Sequence, residues 1–414
     1  MSGARHITLP EGFLAAGVHC GIKTSRQEDL AIIVGEGRLA AALMTTRNQV
    51  VGAPVLWCRR VLPRGFGWIR GIVINSGCSN VCTGRRGQRD AEAMAALTAR
   101  LIGAAREEML VASTGIIGQP LPMARVRRGI RSAVAALGRG DDGPVVRAIM
   151  TTDTREKSAV VQVRLRGGDV TVAGIVKGAG MIAPHLGCLG PAGRGSGGGG
   201  ATMIAVLTTD AAIAPRALAG VFKPAVRGSF NAVTIDSDES TSDTAVVMAS
   251  GRSAQPIRAG SAGLRKFAAA LAEVCRELAM AMARDGEGAT KLIVIRVSGA
   301  RSGADAEAAA KAVANSPLFK CAVHGGDPNW GRIVMAVGKS PAKVVPARLR
   351  VRIGNVTVFA RGRGVKFDLR AAEKHLAGET VTVSVDLGLG RAQYTAYTCD
   401  LSANYVRINA DYHT

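Results

Sequence analysis

The chain has 414 residues, of which 47% are hydrophobic, and this length suffices for about two or three domains with large cores. Its apolar stretches end well before the roughly 20 residues that a membrane-spanning helix needs, and no secretory signal is evident at the start. The net charge of +22 would suit a nucleic-acid partner, but only 4% of the residues are aromatic and the basic residues are dispersed along the chain. We therefore interpret the charge as a basic solvated surface, and we expect neither a nucleic-acid nor a membrane partner.

Eight cysteines are scattered over the whole length of the chain. A disulfide framework is typical of short, cysteine-dense chains, so this distribution favours a reducing, cytoplasmic setting. Cys78 and Cys82 are not followed by a second Cys or His pair at zinc-finger spacing. We therefore expect no metal site.

The first third of the chain predicts a buried strand at Gly71–Asn75 and another at Met109–Ser113. Between them, Asp90 is placed to cap a helix. The second strand leads into Thr114 and Gly115. A hydroxyl next to closely approachable backbone N–H groups is what a developing oxyanion needs, although an isolated Thr–Gly pair is more often a turn.

The middle of the chain carries a polar cluster, a hairpin and a glycine-rich segment. Residues 151–154, Thr-Thr-Asp-Thr, can line a polar pocket or form a turn. Ser158–Leu165 and Asp169–Val176 flank two glycines, which predicts a hairpin that delivers Lys177. His185–Gly200 predicts a flexible loop rather than a phosphate-binding loop, because no Gly-Lys-Ser/Thr follows its glycines at the required offset.

Thr202 begins an apolar, strand-like run directly after that loop. If the bond between Ala201 and Thr202 were cut, the hydroxyl and the freed α-amine would lie on one residue. Such a terminus combines a nucleophile with its own base. Thr202 is therefore the first candidate for chemistry in this chain.

The second half of the chain contains a polar segment, a long helix and a turn. Phe230–Thr244 is rich in acidic and hydroxyl side chains but lacks the spacing of a calcium loop, so we interpret it as a hydrogen-bonded structural loop. Gly263–Arg284 has a continuous apolar face and predicts a helix. In Asp285–Lys291, two glycines place a carboxylate on a turn before the predicted strand Leu292–Val297.

His324 lies in a segment dense in polar and turn-forming residues. It invites a catalytic triad with Ser316 or Asp327. A histidine in a turn more often serves as a hydrogen-bonding residue, so we assign it no catalytic role. Beyond it, Ala347–Phe359 and Thr380–Leu387 alternate in the manner of strands.

Together these motifs resemble the ornithine acetyltransferase family, the glutamate N-acetyltransferases of the cyclic arginine pathway. The resemblance covers nearly the whole chain, and the motifs occur in the family's order, which makes the set far more specific than any one of them. The matching stretches are Asn75–Gly84, Ser113–Gly118, Thr151–Thr154, Lys177–Pro184, Ala201–Ala212, Phe230–Thr244, Asp285–Lys291, Asp327–Arg332 and Asp400–Thr414.

The resemblance implies an α/β fold of sheets covered by helices, with a layered αββα-type core and a smaller C-terminal α/β part. It implies a precursor that cleaves itself between Ala201 and Thr202. The products would be a first chain, residues 1–201, and a second chain, residues 202–414. Two copies of each would assemble as a heterotetramer.

The resemblance also assigns roles to single residues. Thr202 becomes the nucleophile, and Thr114 and Gly115 become the oxyanion residues. Lys177 then suits a substrate carboxylate and Glu287 the ornithine amine. The implied substrate-binding positions are Thr151, Lys177, Thr202, Glu287, Asn409 and Thr414.

The implied reaction transfers an acetyl group from N-acetylornithine to glutamate through an acetyl-threonyl enzyme, without a cofactor. A terminal α-amine has a pKa of about 7.7–8.0, so part of it is neutral near pH 7 and can accept the proton of the hydroxyl. Acetyl-CoA is a possible additional co-substrate, and the sequence leaves the monofunctional and bifunctional readings open.

One departure from the family pattern lies between Pro184 and Ala201, where His185–Gly200 replaces a much shorter connection. Polyglycine restrains the scissile bond poorly. The extension is either tolerated, which we favour because the downstream motifs are intact, or it blocks maturation and leaves an inactive homologue. The competing hypotheses are a hydrolase of the aminopeptidase type with the same terminal threonine, and a basic binding protein supported by the charge alone.

Overall fold

The computed structural model describes residues 6–166, 168–187, 202–253 and 255–411. Ala201, Thr414 and residues 188–200 of the predicted glycine-rich loop lie outside these ranges. The described residues form two compact units. The first comprises the residues up to 231 together with 239–278, and the second comprises 232–238 together with the residues from 279 onward.

The first unit contains a nine-stranded mixed sheet. Its strands are β1 (Phe13–Val18), β2 (Leu30–Thr46), β3 (Phe66–Cys78), β4 (Met109–Ile116), β5 (Ser158–Leu165), β6 (Gly168–Lys177), β7 (Leu186–Gly187), β8 (Ile204–Thr209) and β9 (Thr244–Ala249). The order is β4-β3-β2-β9-β8-β6-β5, and β1 and β7 also pair with β2. The pairs β3–β4 and β8–β9 are parallel, and the others are antiparallel.

Helices cover this sheet. They are α1 (Ala53–Val61), α2 (Gly84–Leu101), α3 (Met123–Ala135), α4 (Gly143–Ile149), α5 (Pro215–Arg227) and α6 (Ala262–Arg284), the last of which belongs to the first unit up to Leu278. Successive residues of β2 enter two different apolar clusters, with Ile32 packed among residues of α2 and α3 and Ile33 packed among residues of α4. Burial on both faces explains why β2 is apolar without alternation.

Local patterns predict some of these elements, and the strands predicted at Gly71–Asn75 and Met109–Ser113 lie within the longer β3 and β4. The hairpin of β5 and β6 is confirmed, as is the helix predicted at Gly263–Arg284. The predicted start of α2 at Asp90 is wrong, because the helix begins at Gly84 and the carboxylate of Asp90 lies inside it, 3.8 Å from Arg86. The first turns of α2 are polar and largely exposed, so they carry no apolar periodicity that would reveal them.

The second unit contains a six-stranded sheet with the order β13-β12-β11-β14-β10-β15. Its strands are β10 (Leu292–Ala300), β11 (Arg350–Ile353), β12 (Val356–Ala360), β13 (Arg363–Gly364), β14 (Thr380–Asp386) and β15 (Ala392–Cys399). Its helices are α7 (Gly303–Ala314), α8 (Pro317–Gly325), α9 (Trp330–Gly338), α10 (Leu369–Leu376) and α11 (Ala403–Asp411). Only β10 and β14 pair in parallel.

The predicted α/β class is confirmed by these two sheets and the eleven helices of the described residues. Over the same ranges, none of the helices combines the length and the apolar character that crossing a membrane requires. The seven described cysteines are free thiols, and no group of three or more His, Cys, Asp or Glu side chains within the described part is placed to hold a metal.

Candidate active site

Thr202 lies two residues before the first residue of β8 and is buried, with 1% of its surface exposed. Its Oγ1 lies 2.9 Å from Oγ of Ser240. The next residue, Met203, is held on both sides, because its N–H donates to Asp243 Oδ1 (2.8 Å) and its carbonyl accepts from the N–H of Thr244 (3.0 Å). The start of the predicted second chain is thus anchored to the loop that precedes β9.

Ser240 and Asp243 belong to the segment interpreted from the sequence as a hydrogen-bonded structural loop, and its hydrogen bonds are confirmed. The Ser240 carbonyl accepts from the Thr46 hydroxyl (2.6 Å), and the Ser240 hydroxyl accepts from the N–H of Ser242 (3.2 Å). The contact with Thr202 is not predicted by the sequence. The two residues are 38 positions apart, and the parallel pairing of β8 with β9 brings them together.

Lys177 is the last residue of β6 and is completely buried. It pairs in register with Ile204, so it lies beside the start of β8. Its Nζ donates to Thr151 Oγ1 (2.8 Å) and to Thr114 Oγ1 (3.2 Å). An ammonium group can only donate, so both threonine oxygens act as acceptors and each hydroxyl keeps its own proton for another acceptor.

Asp153 supplies the counter-charge for this cluster. Its Oδ1 accepts from Lys157 Nζ and from the N–H of Gly178, both at 2.7 Å, and its Oδ2 lies 4.0 Å from Lys177 Nζ. Burial raises the pKa of Asp153, but the ammonium groups of Lys157 and Lys177 and the N–H of Gly178 outweigh it and hold the pKa well below its usual range. Two buried ammonium groups thus lie at one carboxylate, and a buried ammonium group suits an anionic substrate group or an oxyanion.

Lys23 places a further cation within electrostatic reach of Lys177. Its Nζ donates to the carbonyl oxygens of Glu28 (2.8 Å) and Arg147 (3.1 Å). Burial is the main reason that the pKa of Lys23 falls to about 8; the carboxylate of Asp29 opposes the shift and the ammonium of Lys177 adds to it. Sequence reasoning missed Lys23, because its position near the site depends on the tertiary fold.

Thr114 and Gly115 lie near the end of β4, in parallel register with Ser76 and Gly77 of β3. Gly115 has a φ of +122°, and a Cβ there would lie 2.4 Å from the carbonyl carbon of Gly77. Only glycine fits at this position. The buried hydroxyl of Thr114 and the open backbone beside it are compatible with the predicted oxyanion role.

Two predicted substrate-binding residues meet in the second unit. Glu287, which is 7% exposed, accepts a hydrogen bond from Asn409 Nδ2 (2.8 Å). Glu287 lies in the turn before β10, and Asn409 lies on α11. Gly288 allows this turn to lie close to α11, because its φ is +70° and a Cβ there would lie 2.5 Å from the backbone nitrogen of Tyr405.

Asp400 organises the same turn. Its Oδ1 accepts from the N–H groups of Thr290 and Lys291, both at 2.8 Å, and its Oδ2 accepts from Thr290 Oγ1 (2.6 Å). His324 Nδ1 lies 2.7 Å from the same Oδ2. Burial raises the pKa of Asp400, but the hydrogen bonds from Thr290 and His324 outweigh it, so the pKa is lowered. His324 thus pairs with Asp400, whereas Ser316 caps α8.

The predicted site residues are distributed over the two units. Thr114, Gly115, Thr151, Lys177 and Thr202 lie in the first unit, and Glu287 and Asn409 lie in the second. The assignments of Ala201 and Thr414 fall outside the described residues and stay predictions.

Comparisons with known proteins find relatives that match almost the whole length of this chain. A model of the ArgJ family matches residues 14–414. The arginine biosynthesis bifunctional protein ArgJ of Symbiobacterium thermophilum is 44% identical over 414 residues, with 99% of this chain and 98% of that protein covered. The protein of the same name from Geobacter sulfurreducens is 45% identical over 406 residues, with coverage of 98% and 99%. A crystal structure of ornithine acetyltransferase complexed with ornithine, from Mycobacterium tuberculosis, is 40% identical, covers 45% of this chain and 97% of that chain, and gives a TM-score of 0.41.

Proposed function

Because the chain belongs to the ArgJ family, as the resemblance of its motifs predicts, we propose that it matures by self-cleavage before Thr202 and transfers an acetyl group from N-acetylornithine to glutamate in arginine biosynthesis. The observation that carries the proposal is the position of the Thr202 hydroxyl. Thr202 lies two residues before β8, whose first residue pairs with Lys177, and Lys177 in turn contacts Thr114. A nucleophile and donors for an oxyanion thus belong to one sheet.

In the maturation step, Oγ1 of Thr202 attacks the carbonyl carbon of Ala201, and the peptide nitrogen takes up a proton and becomes the α-amine of Thr202. Water then hydrolyses the ester, which frees the hydroxyl and leaves a carboxylate on Ala201. Ser240 Oγ lies 2.9 Å from the attacking oxygen and supports the step by orienting the Thr202 hydroxyl through a hydrogen bond. Since β6 and β8 pair, the two product chains stay joined within one sheet.

In the transfer step, the neutral α-amine of Thr202 accepts the hydroxyl proton while Oγ1 attacks the acetyl carbonyl carbon of N-acetylornithine. The hydroxyl of Thr114 and the N–H of Gly115 stabilise the oxyanion. Ornithine leaves with the proton on its amine, and an acetyl ester remains on Thr202. The amine of glutamate then attacks this ester, which yields N-acetylglutamate and restores the enzyme.

Substrate binding is divided among the remaining predicted residues. Lys177 attracts a carboxylate through its buried ammonium group, which also donates to Thr151 Oγ1. The side chain of Thr152 adds a buried hydroxyl that has no hydrogen-bond partner in the described part of the chain and can therefore serve a ligand. Glu287 binds the side-chain amine of ornithine, with Asn409 as its partner. Thr414 completes the proposed set.

The proposal extends to the setting of the enzyme. It works in the cytoplasm, without a cofactor, as a heterotetramer of two first and two second chains, and it accepts acetyl-CoA as an additional acetyl donor. The free thiols of the described cysteines support a reducing compartment. The pairing of β6 with β8 supports an assembly in which both cleaved chains are retained.

A denaturing mass measurement on the purified protein tests the maturation step. We expect two fragments, the second beginning at Thr202, and we expect the Thr202→Ala variant to remain a single chain. One intact wild-type chain that is fully active would contradict the mechanism.

A product assay tests the transfer step. With N-acetylornithine and glutamate, the cleaved enzyme should form N-acetylglutamate and ornithine in equal amounts. Release of free acetate without N-acetylglutamate would identify a hydrolase instead. Replacing N-acetylornithine with acetyl-CoA tests the second donor in the same assay.

A further inference from the structure

A cavity of about 350 Å³ lies on the six-stranded sheet of the second unit, and none of the predicted site residues lines it. Arginines from two strands line it. Arg296 comes from β10, and Arg350 and Arg352 come from β11. The lining also includes Ser384 and Asp386 of β14, and none of its residues is aromatic.

Strand alternation places the three arginines on one face. Val351 and Val383 are buried in the apolar core, and the residues next to them along the strands point to the opposite side. The register then sets the spacing, because Ser384 pairs with Arg352 on one side and with Arg296 on the other. Neighbouring strands are about 4.8 Å apart, so these two arginines lie about 10 Å apart at Cα, close enough for their side chains to converge on one ligand.

Within the described ranges the three guanidinium groups form no ion pair of 4 Å or less, and the one carboxylate beside them is Asp386, which lies opposite Arg350 in the register of β11 and β14. Other arginines of the same unit do have one, since Arg284 pairs with Glu379 and Arg301 pairs with Asp305. Three cations around one cavity repel one another, and an anion bound between them relieves that repulsion. Arg296 and Arg352, which lie on either side of Ser384, are therefore available to an anionic ligand from outside the chain.

We propose that this cavity binds a phosphate group. Guanidinium groups match a phosphate in two-point hydrogen bonds, and the Ser384 hydroxyl between Arg296 and Arg352 supplies a further donor. The small volume and the lack of aromatic side chains favour a compact dianion over a single-stranded nucleic acid, which stacks its bases on aromatic rings. The inference does not depend on acetyl transfer, because the cavity contains none of the residues assigned to that reaction.

Isothermal titration calorimetry on the purified protein tests this proposal with inorganic phosphate, pyrophosphate and adenosine 3′-phosphate. We expect saturable binding that is weakened about 10-fold or more in Arg296→Gln and in Arg352→Gln, because each substitution removes charged hydrogen bonds. Arg370→Gln is the matched control, since Arg370 is exposed on α10 outside the cavity. Tighter binding of adenosine 3′-phosphate than of inorganic phosphate would identify a nucleotide as the source of the group, and equal binding would identify the free anion.

A substitution of Asp386 should change phosphate affinity in the opposite direction from the arginine substitutions. Asp386 is the one acidic residue of the lining, so Asp386→Asn should tighten phosphate binding several-fold, while Oδ1 can still accept from the N–H of Gly388. Unchanged unfolding temperatures of the variants would confirm that they are folded. Equal binding by Arg296→Gln and Arg370→Gln, or binding of an oligonucleotide but of none of the three small probes, would overturn the proposal.

Discussion

The ammonium nitrogen of Lys177 lies 3.2 Å from the hydroxyl oxygen of Thr114 in the buried interior of the first unit. Because the ammonium can only donate, it occupies a lone pair of the hydroxyl and leaves the hydroxyl proton for another acceptor. The positive charge of the ammonium group, which donates to the hydroxyl oxygen, also makes the hydroxyl a stronger hydrogen-bond donor. The proposed oxyanion role of Thr114 requires such a donor, and the contact with Lys177 is consistent with that role.

This relationship predicts the effect of removing the Thr114 hydroxyl. We expect Thr114→Val to lower kcat for N-acetylglutamate formation by roughly 100- to 1000-fold, the range for loss of one oxyanion donor. The rate should be expressed per cleaved chain, with the cleaved fraction measured by mass spectrometry. Thr114→Ser keeps the hydroxyl and should retain most of the activity, and equal rates for both variants would contradict the oxyanion role.

The contact between Ser240 and Thr202 predicts a slower maturation when it is removed. Ser240→Ala loses one hydrogen bond to the attacking hydroxyl, so self-cleavage should slow roughly 2- to 10-fold. The measurement is the time course of the intact chain after expression or refolding. Ser237→Ala is the control, because Ser237 is exposed in the same segment. A cleavage rate that is the same in both variants would remove Ser240 from the mechanism.

The sequence predicts those parts of the fold that have a strong local pattern. The helix at Ala262–Arg284 and the β5–β6 hairpin are set by apolar periodicity and by the glycines between the strands. The first turns of α2 are not predictable in this way, since their residues face solvent. No pattern indicates α11 (Ala403–Asp411), none of whose residues is buried.

The site shows the same limit. Thr202 and Lys177 can be selected because they lie in motifs of the family, and Lys177 is one residue beyond a predicted strand. The roles of Asp153 and Ser240 depend on contacts across 24 to 38 positions, which only strand pairing creates. Composition marks both segments as polar, but it does not reveal which side chain touches Lys177 or Thr202.

Asp153 is predicted to be essential for stability. Asp153→Asn removes the carboxylate that faces the buried ammonium groups of Lys157 and Lys177, and breaking a buried ion pair in this way costs about 3–5 kcal/mol. Urea unfolding in the Thr202→Ala background tests this, because that variant is expected to be a single chain. Asp169→Asn, an exposed carboxylate on β6, is the control and should change the free energy of unfolding little.

The same carboxylate also predicts a pH dependence. Its folded pKa is held below the unfolded value of about 3.9, so its contribution to stability is present above that pH and is lost as the pH falls through the folded pKa. Wild-type protein should therefore lose more stability between pH 6 and pH 3 than Asp153→Asn does. Parallel curves for the two proteins would show that Asp153 is not stabilised as an anion.

Asp142 predicts a stabilising substitution. Burial raises the pKa of Asp142 to about 6, the carboxylate of Asp141 adds to the shift, and Oδ2 has no hydrogen-bond partner in the described ranges. Because the pKa of this carboxyl is higher in the folded than in the unfolded state, ionisation destabilises the folded state at pH values above the folded pKa. Asp142→Asn should therefore increase the free energy of unfolding by about 1–3 kcal/mol at pH 7 and lose this advantage near pH 4. Urea unfolding at both pH values checks the sign, with Asp169→Asn, which removes an exposed carboxylate, as the control.

Glu287 predicts a change in affinity for one substrate. Glu287→Gln keeps an oxygen that can accept from Asn409 Nδ2, so the contact between the turn and α11 is preserved while the negative charge is lost. If the carboxylate binds the side-chain amine of ornithine, KM for N-acetylornithine should rise about 10- to 100-fold, the range for a charged hydrogen bond, and KM for glutamate should change much less. Steady-state kinetics with each substrate varied in turn measures both constants, and Glu273→Gln on α6 is the control. A larger change in KM for glutamate would assign Glu287 to the acceptor, and no change in either constant would exclude it from substrate binding.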